Sequence, residues 1–200
     1  MCCADERSRR RGITLLELLV VLVIMGIVSG LAIPRLNLSQ YRANAAAQQV
    51  RSVFQTAQRT SLTRQYDVIV SVDTIKGGLR IAEDRNNNGM IEISEWKFWR
   101  PSGEGNRFSV PPAGVQPGSG ATYRPITTSV VGPALKIVDG LPSVVFHRDG
   151  STSSEMQVYM SSSYRGRTDF RGITLTRSTG RSELYRLAGV GATANWQVTQ

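Results

Sequence analysis

The sequence predicts an α+β fold, a long N-terminal helix followed by an antiparallel β-sheet domain. Three observations predict it. The apolar run from Ile13 to Ile33 holds a single ionisable residue, Glu17. Apolar residues then recur at helical spacing to about residue 64. After Gln65 the pattern changes to period two, in short runs divided by Gly- and Ser-rich turns.

The first run, 13–33, makes about 30 Å of helix, which matches a hydrocarbon core. Gly26, Ser29 and Gly30 within it allow close helix approach, and Pro34 predicts a kink. Arg7, Arg9, Arg10 and Arg11 precede the run and favour a cytoplasmic N-terminus, with the following domain across the membrane. A carboxylate inside such a run costs several kcal/mol to keep charged, so Glu17 marks function.

The second stretch carries one stripe of Ala43, Ala46, Ala47, Val50, Val53, Phe54 and Ala57, with Gln48, Arg51, Gln55 and Arg59 off it. That amphipathic half must pack on a neighbour, and a sheet is the natural one. Val68, Val70 and Val72 open the strand pattern, and Leu79–Ile81 follows a Gly-Gly turn. Ile91, Ile93, Trp96 and Phe98 surround a polar loop. Later strands are expected at Ser143–His147, Met156–Met160, Ile173–Thr176 and Leu184–Leu187. Residues 101–142 hold all of the chain's eight prolines but Pro34, which predicts a long loop with short strands near Tyr123 and Leu135–Val138.

The formal net charge is +9. Such a balance favours anionic partners without naming one. Cys2 and Cys3 are the two cysteines, so the domain beyond them has no disulfide and no thiolate metal site. A lipoprotein cysteine would follow an apolar segment, whereas these precede it.

The segment Gly12-Ile13-Thr14-Leu15-Leu16-Glu17-Leu18-Leu19-Val20-Val21-Leu22 resembles the class III signal of type IV pilins and type II secretion pseudopilins. The resemblance implies that a prepilin peptidase cuts between Gly12 and Ile13 and that Ile13 is then N-methylated. Ile13 stands where Phe or Met is more usual. Glu17 matches the acidic fifth residue of the mature chain, and Pro34 a proline common at the end of the membrane segment. A carboxylate of one subunit can neutralise the new amine of its neighbour, since a buried charge needs a partner. An ordinary secretory signal has a shorter apolar core and a small-residue cleavage site.

The resemblance extends further down the chain. A long helix packed on an antiparallel sheet is the pilin architecture. Val144-Val145-Phe146 with Asp149-Gly150, then Gly172-Ile173-Thr174-Leu175 and Thr179-Gly180-Arg181, is similar to the C-terminal region of the GspH/FimT class of minor pilins and pseudopilins. The implied organisation is a cleaved leader at 1–12, a transmembrane or filament-core helix at 13–34, its amphipathic continuation at 35–65, and a periplasmic β-rich domain at 66–200. If the leader is removed, the mature chain carries about +7.

Two further constellations are weighed against plainer readings. Asp84, Asn86, Asn88, Met90 and Glu95, with Gly89 at the turn, fit the spacing of a calcium loop. In that reading Asp84 and Glu95 are the ligand carboxylates, and Glu92 would add a third through water. The flanks read as strands rather than helices, and the plainer reading is a polar Asn/Gly turn. No other cofactor is expected. Arg165, Arg167, Arg171, Arg177, Arg181 and Arg186, interleaved with Tyr164, Phe170 and Tyr185, can hold phosphates. Some FimT-type pilins bind DNA through Gly-Arg-x-Arg, but Gly180-Arg181-Ser182-Glu183 and Gly166-Arg167-Thr168-Asp169 each place an acid where the second Arg belongs. The plainer reading is a solvated basic face or pairing with acidic subunits. His147 near Asp149 and Ser151 reads as structural, and no enzyme motif is found.

The sequence therefore reads as a minor pilin or pseudopilin anchored by a single pass in the inner membrane and assembled near a filament tip. Its expected partners are the prepilin peptidase, other minor subunits and the major subunit. A DNA-uptake minor pilin and an uncut single-pass anchor remain as alternatives, and the sequence does not separate type II secretion from type IV pili.

Overall fold

The computed structural model describes residues 13–32, 38–95, 97–110, 112, 116–117, 131–132, 136–189 and 194–199. The chain divides into two units, Met1–Asn37 and Leu38–Gln200. Gly12, Pro34, Trp96 and the strand expected near Tyr123 lie outside the described residues.

In the first unit the apolar run forms α1, Leu15–Ala32. Its 18 residues span about 27 Å, less than the ~30 Å of a hydrocarbon core. Among the described residues no helix is long and apolar enough to cross a membrane. Every residue from Ile13 to Gly30 is exposed, including Leu15 at 83% and Met25 at 62%.

The second unit begins with α2, Leu38–Arg64. The expected stripe is its buried face: Ala43, Ala46, Ala47, Val50, Val53, Phe54 and Ala57 are each at most 4% exposed. The small alanines let strands approach the helix axis closely.

Twelve strands follow among the described residues: β1 Asp67–Asp73, β2 Gly78–Asp84, β3 Lys97–Pro101, β4 Asn106–Phe108, β5 Gln116–Pro117, β6 Val131–Gly132, β7 Lys136–Val138, β8 Leu141–Phe146, β9 Met156–Tyr164, β10 Arg167–Leu175, β11 Ser182–Ala188 and β12 Asn195–Thr199. They form two sheets rather than the one expected. The first runs β3-β2-β1-β8-β7 and the second β4-β9-β10-β11-β12-β5, with β6 also on β9. All pairings are antiparallel except the short β12–β5 pair. β4, β5, β6 and β12 are not among the expected strands, because they are too short or too polar to show a period.

One core joins the α2 stripe to both sheets, through Val68, Val70 and Val72 of β1, Phe146 of β8, Val158 of β9 and Ile173 of β10. Phe54 meets Phe146 with ring centroids 6.1 Å apart. β1 is buried on both faces rather than one. On its far face Ile69 packs with Val138 and Val145, and Ile91 of the 84–95 loop lies against them. The far face of the second sheet is closed by Tyr159, Tyr185 and Trp196.

Candidate functional site

The first candidate lies at the start of α1. Thr14 caps the helix: its hydroxyl accepts from the Glu17 backbone N–H at 3.2 Å, and its carbonyl accepts from Leu18 N–H at 3.1 Å. Thr14 and Glu17 thus stand at the cap and third helical positions of a capping box, and Glu17 places negative charge at the positive helix end. The sequence reading passed over Thr14, although Thr-x-x-Glu was visible. Glu17 is exposed, and no other ionisable residue lies between Ile13 and Ala32. A helix that is apolar on every side finds its minimum among other apolar helices or lipid, not in water.

The second candidate is the loop from Asp84 to Glu95. Its oxygens do come to one loop, but they are turned to the backbone. Asp84 accepts from Asn88 N–H at 3.0 Å and Gly89 N–H at 2.6 Å. Asn86 accepts from Asn88 N–H, and Asn88 from Met90 N–H. The two Glu95 oxygens accept from Arg85 N–H at 3.0 Å and Glu92 N–H at 2.9 Å. Glu92 receives both side-chain amides, from Asn86 and Asn88. Asn87 and Gly89 take the left-handed backbone that the turn requires. The Lys136 ammonium lies close to Gly89, in the space a β-carbon there would take. Among the described residues no group of three or more His, Cys, Asp or Glu is placed to hold a metal ion. A cation would have to displace these bonds and oppose the Lys136 charge.

The third candidate, the late arginines, is split apart. Arg165 and Gly166 form the two-residue turn of the β9–β10 hairpin, both with positive φ, so Arg165 and Arg167 sit at its tip. Arg181 lies past the other end of β10, beside Ser182, which pairs with Leu175. The nine residues of β10 put roughly 30 Å between these ends. Arg181 also faces Glu183 at 3.6 Å. Arg165 lies over the Tyr164 ring at 5.4 Å, and Arg42 lies over it at 5.1 Å. A single phosphate-binding patch of Arg165, Arg167 and Arg181 is therefore not what the fold builds.

Arg171 corrects the expectation most sharply, because it is fully buried. Its Nε donates to Asn44 Oδ1 at 2.7 Å, one Nη to the Phe170 carbonyl at 2.7 Å, and the other to the Gln40 carbonyl at 3.5 Å. Next to it, Ser39 donates to the Asp169 carboxylate. Burial lowers the Arg171 pKa to about 10, and the nearby Asp169 carboxylate works against that shift. This arginine fastens α2 to the second sheet.

The residues behind the C-terminal resemblance also converge. Gln58 of α2 donates to the carbonyls of Gly150 at 3.2 Å and Thr179 at 2.6 Å. Gly180, at φ +62°, lies so close that a β-carbon there would be 2.5 Å from the Gly150 carbonyl oxygen. His147 bonds Asp67 at 2.8 Å, joining the end of β8 to the start of β1, and Ser151 donates to Asp149. His147 and Ser151 thus serve the turn rather than forming a nucleophile pair.

Residues 7–33 match the family described as the prokaryotic N-terminal methylation motif. The chain is also 35% identical over 98 residues to the pilin-like protein PilA1 of Thermus thermophilus, an alignment covering 48% of this chain and 63% of that protein. The chain thus spans less than two thirds of that relative. No solved structure matches the chain.

Proposed function

We propose that this chain, a type IV pilin-like protein, is a minor pilin or pseudopilin of the GspH/FimT class. In this reading it is made as an inner-membrane precursor with its C-terminal domain in the periplasm. Prepilin peptidase cuts between Gly12 and Ile13, and Ile13 is N-methylated. The subunit then enters a type II secretion pseudopilus or type IV pilus at or near its tip.

The observation that carries this is α1, apolar on every side, exposed from Leu15 to Gly30, with one carboxylate on its first turn. Such a helix needs lipid before assembly and neighbouring helices after it. Glu17 then has a partner in the Ile13 amine of an adjacent subunit. The DNA-uptake reading loses its main support with the separation of Arg167 from Arg181.

The test is the intact mass and N-terminal peptide mass of membrane-extracted protein, beside a Gly12→Val control. The expected product starts at N-methyl-Ile13 and is absent from the control. A chain beginning at Met1 in both would leave an uncut anchor and end the assembly reading.

A further inference from the structure

The open flank of α2 carries a feature that filament assembly through α1 does not use. The helix packs on β9, β10, β11 and β1, and only lightly on β2 beyond β1. The space left is a groove of about 670 Å3 between α2 and β3. Its floor is apolar, made by Val53, Val68, Ile81 and Phe98. One end is closed where Gln49 donates to the Pro101 carbonyl at 2.6 Å.

The rim is cationic. Arg64, Arg85 and Arg100 line the groove against one carboxylate, Glu83. That carboxylate is buried and already bridged by Arg64 at 2.9 Å and Arg85 at 3.2 Å. Arg100 lies over the Phe98 ring at 5.0 Å. α2 itself carries Arg42, Arg51, Arg59 and Arg64 and no acidic residue. β3 is the last strand of its sheet, and all five of its residues are exposed.

We propose that this groove is a docking site for an extended acidic segment of a different protein, added alongside β3. A strand laid there continues the sheet, so its alternate side chains face the apolar floor beneath α2. Carboxylates flanking those side chains meet Arg64, Arg85 and Arg100, whose charge Glu83 only partly offsets. A second copy of this chain is the poorer occupant, because two molecules that each keep about +7 after loss of the leader repel on approach. The inference rests on the reading that this chain works in contact with other subunits, and it adds the chemistry of one of them.

The test uses the full chain in its native cells, with the photoreactive residue p-benzoylphenylalanine replacing Thr56 on the groove wall. The expected product is a crosslink to another protein, within a peptide that alternates apolar residues with Asp or Glu. Arg100→Glu should lower its yield at least fivefold. Arg59→Glu, the same charge change on an exposed residue of α2 outside the groove, should leave it within twofold. No crosslink, a crosslink to a second copy, a peptide without acidic residues, or equal loss in both variants overturns the proposal. The N-terminal mass from the same membranes is read alongside. An unprocessed chain would defeat the assembly reading, while the contrast between Arg100→Glu and Arg59→Glu judges the groove separately.

Discussion

The two flanks of α2 use arginine in opposite ways. Toward the second sheet, Arg171 is fully buried, and its donors meet Asn44, Gln40 and Phe170. Toward the first sheet, Arg64 and Arg85 are more than half exposed, and both share Glu83. The closed flank turns charge into rigid attachment. The open flank leaves charge at the rim of an apolar groove, where a partner can reach it. Residue type alone does not say which role an arginine plays; the depth of the neighbouring strands does.

The comparison breaks most visibly at Arg171. Arg171→Ala removes the donor to the Asn44 side-chain oxygen and opens a cavity. The expected loss is about 3 kcal/mol. For a domain of this size that is a fall of roughly 6–12 °C in melting midpoint. Substitutions at Arg59 or Arg100 on the open side should stay within about 0.5 kcal/mol. Equal effects on the two sides would erase the distinction.

Gly180 tests the same closed flank from its other end. Gly180→Ala forces a β-carbon against the Gly150 carbonyl and the Gln58 amide, at a positive φ. About 2 kcal/mol of destabilisation is expected. Thermal melting of Gly180→Ala beside Gly140→Ala checks it, since Gly140 shares the positive φ but has open space around it. A larger loss at Gly140 would show that φ, not contact with α2, sets the cost.

Here the limits of the sequence become physical. The α2 stripe, the end of that helix and the cores of β1, β2, β8, β9, β10 and β11 follow from periodicity, because burial of one face imposes it. The α1 signal was legible for the same reason, since a carboxylate in an apolar run has no ordinary explanation. Arg171 was not legible. It sits among Arg165, Arg167, Arg177, Arg181 and Arg186, and only the register of β10 against α2 separates it from them. The groove was equally hidden, because it is made by the divergence of a helix and a sheet far apart in sequence. The meeting of Asp149-Gly150 with Thr179-Gly180 at Gln58 gives those short motifs a packing role that spacing could not reveal.

A smaller effect is expected at high pH, on the far face of the second sheet. Burial, then the Glu183 carboxylate that accepts the phenol's hydrogen bond at 2.9 Å, pushes the Tyr185 pKa up to about 12. An unfolded tyrosine loses its proton near 10, so the Tyr185 contribution is complete below pH 10 and lost as pH rises to about 12. Arg171 acts in the opposite sense over the same range. Its folded pKa of about 10 lies below the ordinary arginine range, so the burial penalty on its charge is relieved as pH rises. Melting curves of the wild type and Tyr185→Phe from pH 9 to 12 separate the two. The wild-type advantage should shrink steadily above pH 10, and a constant difference would mean that the phenol is not held neutral by the fold.

The smallest effect is expected where the open flank runs into the 84–95 loop. Arg85, on the groove rim, donates its backbone N–H to Glu95, so calcium binding would be felt there as added stability. An extracellular-type site binds at roughly 0.1–1 mM. Saturating it at 5 mM calcium would add about 1–2 kcal/mol. The loop's oxygens already accept backbone N–H groups, and Lys136 supplies a positive charge beside Gly89, so a bound cation replaces bonds rather than filling a need. The melting midpoint of the protein should therefore agree within about 1 °C in 5 mM calcium and in chelator. A reproducible rise of several degrees, lost in Asp84→Asn, would show that the loop reorganises around the ion and that Asp84, Asn86, Asn88, Met90 and Glu95 act as ligands after all.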